Sequence, residues 1–199
     1  MPEMPPSARV TLTSLPHRLL ARRVIVPWLF QGEPPAGEGL EVGAGRGVMT
    51  AEILATYPRF RMVATDNDTE RVTAAEQVLA GFGRRAGVQR ADAAQLPFPD
   101  GRFDLVLSAA MLHHVIEWDK ALDEAVRVLR PGGRLIGYDM LDTAPMRLLH
   151  VAERDATTLL RPAQLEAGLD RLGLTGLCTA TALGGAVMRF AARKPPLAA

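Results

Sequence analysis

The most informative stretch of the chain reads Gly39-Leu40-Glu41-Val42-Gly43-Ala44-Gly45-Arg46-Gly47. Its first four residues have the apolar character of a short buried strand, and residues 49–56 that follow have helical spacing. The glycines between them let the backbone turn tightly and let a ligand approach where a Cβ atom would block it. A glycine loop that joins a strand to a helix is the setting in which such loops bind nucleotide-like ligands.

The spacing of the glycines separates this loop from two phosphate-binding loops. A dinucleotide fingerprint counted from Gly43 needs glycine at position 48, which is Val48. A Walker A loop needs a following Gly-Lys-Ser/Thr, which is missing. The glycines instead fall as GxGxG, and Glu41 stands two residues before the first of them. Because a carboxylate repels phosphate, this loop favours a ligand that carries positive charge.

Outside this loop, short apolar runs alternate with helical patterns, which indicates a parallel sheet covered on both faces. The pattern predicts strands at 39–42, 61–65, 88–90, 103–108, 134–139, 174–181 and 187–192. It predicts helices at 49–56, 69–81, 119–129, 144–160 and 162–172. Gly184-Gly185 lies in the short gap between the last two strands and predicts an antiparallel hairpin. The expected fold is α/β: a doubly wound, mostly parallel seven-stranded sheet with helices on both faces.

The composition is that of one globular domain, and its charges are balanced. Lys and Arg number 23, Asp and Glu 22, and the net charge of +1 gives no electrostatic argument for a nucleic-acid partner. Cys178 is the only cysteine, so no internal disulfide forms and a reducing compartment is expected. No stretch near the N-terminus is apolar and long enough for a signal peptide or a membrane span. We therefore expect a cytoplasmic protein.

The N-terminal segment precedes the alternating pattern. We divide the chain into an N-terminal tail and helical lid, residues 1–36, and a Rossmann-like domain, residues 37–199. Residues 1–8 are expected to be a disordered tail, and residues 9–30 have helical spacing. The apolar residues of this segment either close over the site as a lid or pack on the sheet as core, and the sequence leaves both open.

Two further acids stand at the C-terminal ends of predicted strands, as Glu41 does near the end of the first. Asp66 ends the second strand, where a carboxylate can accept both hydroxyls of a ribose. Asp92 follows the third strand, where it can accept a hydrogen bond from an adenine amino group. Singly, these residues have ordinary explanations as a solvated charge, a helix cap and a turn former. Three acids at successive strand ends beside a glycine loop favour a ligand site.

Five motifs together resemble the class I, seven-strand S-adenosylmethionine-dependent methyltransferases, closely over about residues 38–140. They are residues 41–47, 65–68, 92–98, 103–106 with 111–115, and 129–135. The last two are similar to the branch that contains quinone-biosynthesis and many small-molecule methyltransferases. The resemblance implies S-adenosylmethionine as cofactor, S-adenosylhomocysteine as product, and in-line methyl transfer to a small-molecule or lipid-like acceptor.

The resemblance also implies a role for individual residues. The methionine portion would be held by the loop at Gly43, Ala44, Gly45 and Gly47, with Glu41 as its anchor. Asp66 would bind the ribose and Asn67 would lie beside the adenine. The remaining contacts would come from Asp92 and Ala93 at the adenine edge and from Ser108 and Ala109 at the methionine ammonium.

The acceptor side is defined less well by the sequence. Candidate general bases lie where strands four and five end, with His113 and His114 foremost and Tyr138, Asp139 and Asp142 behind them. No metal site is predicted, and a homodimer is allowed for. Two alternatives stay open at this point: a non-catalytic cofactor-binding protein, and a nicotinamide-dependent oxidoreductase. The second is disfavoured by Val48 in the glycine loop.

Overall fold

A computed structural model describes residues 15–144, 146–147 and 159–197. Its seven strands are β1 Glu38–Val42, β2 Arg61–Asp66, β3 Ala86–Arg90, β4 Phe103–Ala109, β5 Leu129–Met140, β6 Thr175–Ala182 and β7 Val187–Arg193. They form one sheet in the order β3-β2-β1-β4-β5-β7-β6. Strands β1 to β5 are parallel, and β7 is antiparallel to both β5 and β6. The predicted fold and its C-terminal hairpin are confirmed.

Six α-helices accompany the sheet in the described ranges. They are α1 Leu15–Leu20, α2 Val26–Phe30, α3 Val48–Thr56, α4 Thr69–Leu79, α5 Trp118–Val128 and α6 Pro162–Arg171. A π-helical turn, Ala21–Ile25, joins α1 to α2, and 3₁₀ turns span Ala80–Arg85, Leu112–His114 and Leu183–Gly185. The tail predicted over 1–8 and most of the helix predicted over 144–160 lie outside the described residues.

The sheet buries a separate apolar layer on each face. On one face, α5 and α6 place Leu122 and Leu165 against Phe103 and Phe190. On the other face, the layer contains buried side chains from α2, α3, α4 and the sheet, among them Phe30, Ile53, Leu79, Leu107 and Ile136. Each fully buried Leu, Ile or Phe contributes about 1.5–3 kcal/mol of transfer free energy. Because helices cover both faces of the sheet, side chains on both sides of β1, β2 and β4 are buried, which accounts for their apolar runs.

The Arg130-Pro131-Gly132-Gly133 segment differs from its prediction. The predicted helix 119–129 and strand 134–139 leave this segment as a connection between them, but it forms a bulge within β5. Leu129 pairs with Phe103 and Arg134 with Leu105, so the residues between loop out from β4. Lys194 fixes this bulge: its backbone carbonyl accepts from Gly132 N at 2.9 Å, and its Nζ donates to the Val126 and Leu129 carbonyls at 2.7 and 2.8 Å. The ammonium therefore caps the C-terminus of α5, where the helix dipole favours a cation.

Candidate active site at the carboxyl edge of the sheet

The sequence-predicted acids and the glycine loop meet at one edge of the sheet. Val42, the last residue of β1, pairs with Thr65 of β2 and with Ser108 of β4. Asp66 pairs in turn with Arg90, at the end of β3. Since parallel strands end at the same edge, the residues that follow β1 to β5 surround one crevice, where open α/β sheets bind ligands.

Three hydrogen bonds hold the glycine loop in shape. Ala44 N donates to the Thr65 carbonyl at 2.7 Å, and Gly47 N donates to the Ala44 carbonyl at 2.9 Å. Gly45 N donates to Asp66 Oδ2 at 2.8 Å. The loop is thereby tied both to itself and to the end of β2.

Two of the loop glycines are required for different reasons. Gly43 has φ +66°, and a Cβ atom there would lie 2.0 Å from Cγ of Met111. Gly45 has φ +56°, but a Cβ atom there would meet nothing within 4 Å. The first glycine therefore lets Met111 pack beneath the loop. The second keeps the outer face of the loop open to a ligand.

Glu41 is a carboxyl group buried beneath the loop, with 2% of its surface exposed. Thr50 Oγ1, in the first turn of α3, donates to Glu41 Oε2, and Thr65 Oγ1 donates to the Glu41 carbonyl at 3.0 Å. The pKa of Glu41 is raised from 4.5 to about 7. Burial and the nearby Asp66 raise this pKa, and the hydrogen bonds from Thr50 lower it in part. The group thus changes its charge near neutral pH. Sequence reasoning missed Thr50, because no motif marks a partner on the following helix.

Asp66 faces the glycine loop and does not act as the cap of α4. Its Oδ2 accepts from Gly45 N, and its Oδ1 accepts from Asp68 N at 3.0 Å. Asp68 is the N-cap, since its Oδ1 accepts from Glu70 N at 2.8 Å and from Arg71 N at 3.2 Å. The role of helix cap, which was the ordinary explanation for Asp66, therefore belongs to Asp68.

Asn67 and Asp92 follow the ends of β2 and β3. Both side chains are exposed, and the Asn67 carbonyl accepts from Arg90 Nε at 2.9 Å. Asp92 forms a tight turn, with its Oδ1 accepting from Ala94 N at 2.9 Å. Ala93 is half-buried in this turn. The structure therefore brings these three residues to the same edge as Asp66.

The loop after Asp92 is fastened to α5 by one arginine and one glutamate. Arg127 donates to the Leu96 and Phe98 carbonyls at 2.9 and 2.8 Å and to Asp100 Oδ1 at 2.6 Å. Two further bonds, at 2.6 and 2.8 Å, join it to the carboxylate of Glu124, which also accepts from Leu96 N at 2.7 Å. All five guanidinium donors are therefore used. Sequence reasoning passed over both residues, because a basic and an acidic side chain on a helix resemble an ordinary solvated pair.

Ser108 and Ala109 end β4 beside the loop. Ser108 is buried, and its Oγ has no hydrogen-bond partner in the described structure. Ala110, the next residue after Ala109, has φ +52°, an unusual conformation for alanine, and its N donates to the Tyr138 carbonyl at 2.8 Å. An orphaned buried hydroxyl and a strained backbone adjoin each other here, and both are typical of ligand sites.

His113, His114 and Asp139 lie where β4 and β5 end. His113, 2% exposed, contacts Asp139 Oδ1 through Nδ1, and its ring centroid lies 4.0 Å from that of half-buried His114. Asp139 is fully buried and accepts from Leu112 N and from Met140 N, both at 2.7 Å. The carboxylate therefore holds the turn that carries both histidines.

The other candidate bases have different environments. Burial raises the pKa of the Tyr138 phenol, and the carboxyls of Glu41 and Asp139 raise it further, so Tyr138 retains its proton. Asp142 is ion-paired to Arg147, with Nε 2.5 Å from Oδ1. Tyr138 is therefore a proton donor and the Asp142 carboxylate is engaged by Arg147, so the two histidines stay the foremost candidates.

Comparison with known proteins places this chain beside methyltransferases. The family profile described as "Methyltransferase domain" matches residues 40–137. The ubiquinone/menaquinone biosynthesis C-methyltransferase UbiE of Desulfotalea psychrophila is 35% identical over 114 residues, which cover 57% of this chain and 44% of that protein. The demethylmenaquinone methyltransferase of Clavibacter sepedonicus is 40% identical over 104 residues, 52% of this chain and 41% of that protein. The crystal structure of a SAM-dependent methyltransferase from Aquifex aeolicus superposes with a TM-score of 0.72 at 20% identity, covering 96% of this chain and 98% of that one.

The sheet order and the glycine-loop edge define a Rossmann-like protein of the class I methyltransferase fold. More narrowly, residues 40–137 match a methyltransferase domain, and parts of the chain are 35% and 40% identical to two curated methyltransferases, so the resemblance that the five motifs predicted is confirmed. It spans less than half the length of the two curated relatives. In the ranges that the structure describes, no helix has both the length and the apolar character needed to cross a membrane.

Proposed function

We propose that the protein transfers a methyl group from S-adenosylmethionine to a quinone-like small molecule. The observation that carries this proposal is the Asp66 carboxylate, which is bonded to Gly45 N at 2.8 Å and faces a loop that is open at Gly45. The acceptor class rests on the two curated relatives, whose names place them in ubiquinone and menaquinone biosynthesis. A cytoplasmic location, a homodimer and the absence of a nucleic-acid partner stay predictions.

The residues at the crevice fit the cofactor. The open face at Gly45 gives room for its methionine portion, and the partnerless Oγ of buried Ser108 can accept from its ammonium. Asp66 would take the ribose hydroxyls, and the turn at Asp92 and Ala93 would take the adenine edge. Glu41, which can ionise near neutral pH, would supply negative charge beneath the loop. When bound, the cofactor supplies a methyl group already activated by a sulfonium.

The chain itself then has to place the acceptor, exclude water and remove a proton. Asp139 accepts from Nδ1 of His113, which leaves the lone pair of the neutral ring on Nε2. We assign His113 as the base that takes the acceptor's proton at Nε2, with the buried Asp139 stabilising the imidazolium that forms. His114, packed on His113, would line the acceptor pocket with Tyr138 and Met140. Met111 and Leu112, which precede His113, are buried in the apolar layer that contains Phe103.

Calorimetry and a turnover assay test this function. We expect S-adenosylhomocysteine to bind at micromolar affinity or better and NAD(H) not to bind, and a demethylated quinol to accept a labelled methyl group. His113→Asn should lower kcat by about 10²–10⁴-fold, as expected for a lost general base, while the affinity for S-adenosylhomocysteine stays unchanged. Binding of NAD(H) without the homocysteine derivative would refute the cofactor assignment. Unchanged kcat in the variant would refute the base alone.

A further inference from the structure

A second cavity lies at the opposite edge of the sheet. It has a volume of about 300 Å³, and its lining includes one acidic residue, Glu38, and four arginines, Arg61, Arg84, Arg85 and Arg102. The strands β1, β2 and β3 begin here, since Glu38 pairs with Arg61 and Met62 pairs with Ala86. The length of β1, roughly 13 Å at about 3.3 Å per residue, separates it from the glycine loop. The cavity is therefore distinct from the cofactor crevice.

The charge of this cavity is strongly one-sided. Four arginines are among its lining residues, and Glu38 is the single acidic residue among them. Glu38 Oε1 contacts Nη2 of Arg102 at 3.2 Å and therefore neutralises one of the four. Because the chain as a whole carries a net charge of only +1, this surplus of positive charge is a local property.

Two of the four guanidinium groups are held in place by the fold. Arg102 lies over the rings of Phe98 and Phe103, with Cζ 4.9 and 4.7 Å from the two centroids. Arg85 lies over the ring of Phe82 at 5.4 Å and donates through Nη1 to the Leu54 carbonyl at 3.0 Å. These contacts fix both heads before any ligand arrives, which reduces the entropy lost on binding. They also leave several N–H donors of each head unused.

The other two arginines have no partner to neutralise them. The side chains of Arg61 and Arg84 are exposed and form no hydrogen bond or ion pair within the part of the chain that the structure describes. Like charges brought together around one cavity repel each other, and an anion between them relieves that repulsion. Planar guanidinium forks match phosphate oxygens in particular, since they donate two parallel hydrogen bonds.

We infer that this cavity binds the di- or triphosphate group of a small molecule. Arg61, Arg84 and Arg85 have no acidic partner among the described residues, so a ligand with several negative charges matches them better than a ligand with one carboxylate. A volume of about 300 Å³ is at the lower end of small-molecule pockets, large enough for a diphosphate and part of what it is attached to. Inorganic pyrophosphate and a nucleoside triphosphate share this chemistry. The inference does not depend on the methyltransferase activity, because the two sites lie at opposite edges.

Titration calorimetry tests this site in the presence of saturating S-adenosylhomocysteine, so that adenine compounds cannot enter the cofactor crevice. At physiological ionic strength, we expect pyrophosphate and ATP to bind and adenosine not to bind. The double variant Arg61→Gln/Arg84→Gln should weaken both by about tenfold or more. Arg84→Gln alone, which removes one exposed side chain, should weaken them by a smaller factor. ATP binding much more tightly than pyrophosphate would identify a nucleotide, and equal affinities would identify the diphosphate group itself.

A matched control uses two arginines away from the cavity. Arg22→Gln/Arg23→Gln removes the same charge from exposed positions in the π-helical turn and should leave both affinities unchanged. Equal weakening in the control would show a general attraction of anions to a basic chain and would overturn the site. Failure of both phosphates to bind would overturn it as well. Neither outcome touches the proposed methyl transfer, which the S-adenosylhomocysteine titration and the turnover assay test separately.

Discussion

Glu41 links the charge of the cofactor crevice to the stability of the fold. Its folded pKa of about 7 exceeds the ordinary value of 4.5, because burial favours the neutral acid. The stability that this group contributes is therefore full below about pH 4.5 and is lost as the pH rises through about 7. A carboxyl that ionises only near neutrality also lets the loop gain negative charge when a cationic ligand binds.

The expected consequence is a pH-dependent difference between wild type and Glu41→Gln, which cannot ionise. Between about pH 5 and pH 8, the ligand-free wild type should lose about 2–3 kcal/mol of unfolding free energy relative to this variant. Urea unfolding of both proteins at several pH values measures that difference. If the two curves run parallel across the range, Glu41 is ionised throughout and the electrostatic account of the loop is wrong.

Asp66 is the residue on which the ribose assignment depends. Asp66→Ala removes a charge-assisted contact to the ribose and the bond to Gly45 N, so the affinity for S-adenosylhomocysteine should fall by about 2–4 kcal/mol. Calorimetry measures this loss. Asp68→Ala is the matched control: it removes the cap of α4, lowers stability by about 1 kcal/mol and should leave the affinity unchanged. Equal affinity losses in both variants would show that Asp66 acts only through the turn.

Some of these site residues could be predicted from the sequence and others could not. Glu41, Asp66 and Asp92 could be placed together from the pattern alone, because parallel strands end at one edge and each acid lies near the C-terminal end of a strand. Thr50, the partner of Glu41, could not be found, because which side of α3 faces the sheet is set by packing. The pairing of His113 with Asp139 was equally hidden, since it joins a 3₁₀ turn to the end of β5, 26 residues further along the chain.

At the scale of elements, α5 holds the loop after Asp92, which we propose contacts the adenine, although α5 itself begins only at Trp118. Its Arg127 and Glu124 bind the backbone of residues 96 and 98, so the loop between β3 and β4 has one position relative to the sheet. Element boundaries that depend on such contacts were the least predictable. The segment 130–133 reads as a turn, but Lys194 from the end of β7 makes it a bulge inside β5.

Arg127→Lys tests this organising role while keeping the charge. A single ammonium cannot replace five guanidinium bonds, so the loop should lose its fixed position and the Kd for S-adenosylhomocysteine should rise by about tenfold. An inosine analogue, which lacks the 6-amino group, should be affected less in the same calorimetric titration. Arg130→Lys is the control, since Arg130 pairs with Asp104 at the opposite edge of the sheet. Equal losses for both ligands would mean that the loop does not read the adenine amino group.

On the scale of the whole molecule, the second half of the N-terminal segment, helix α2, packs into the core of the domain. Val26, Leu29 and Phe30 have 1% exposure or less and belong to the apolar layer that contains Ile53 and Leu107. Leu19 and Leu20, by contrast, are exposed, and α1 is tied to α3 by Arg18 Nε, 2.7 Å from Oε1 of the buried Glu52. The two halves of the segment therefore have different tasks: α2 completes the core, and α1 lies over α3 with apolar side chains left uncovered.

Two truncations separate these tasks. Deleting residues 1–30 removes the buried side chains of Val26, Leu29 and Phe30, and truncating either of the last two alone would cost about 2–5 kcal/mol, so the product should unfold or melt far below the full chain. Deleting residues 1–20 keeps that core and should leave a folded protein that binds S-adenosylhomocysteine with nearly full affinity. If the exposed apolar side chains of α1 cover the hydrophobic acceptor in the full chain, the shorter deletion removes that contact. The KM for the quinol should then rise. Circular dichroism melting, calorimetry and the turnover assay give the three readouts. A stable, active product from the longer deletion would show that α2 is dispensable and that the second apolar layer forms without it.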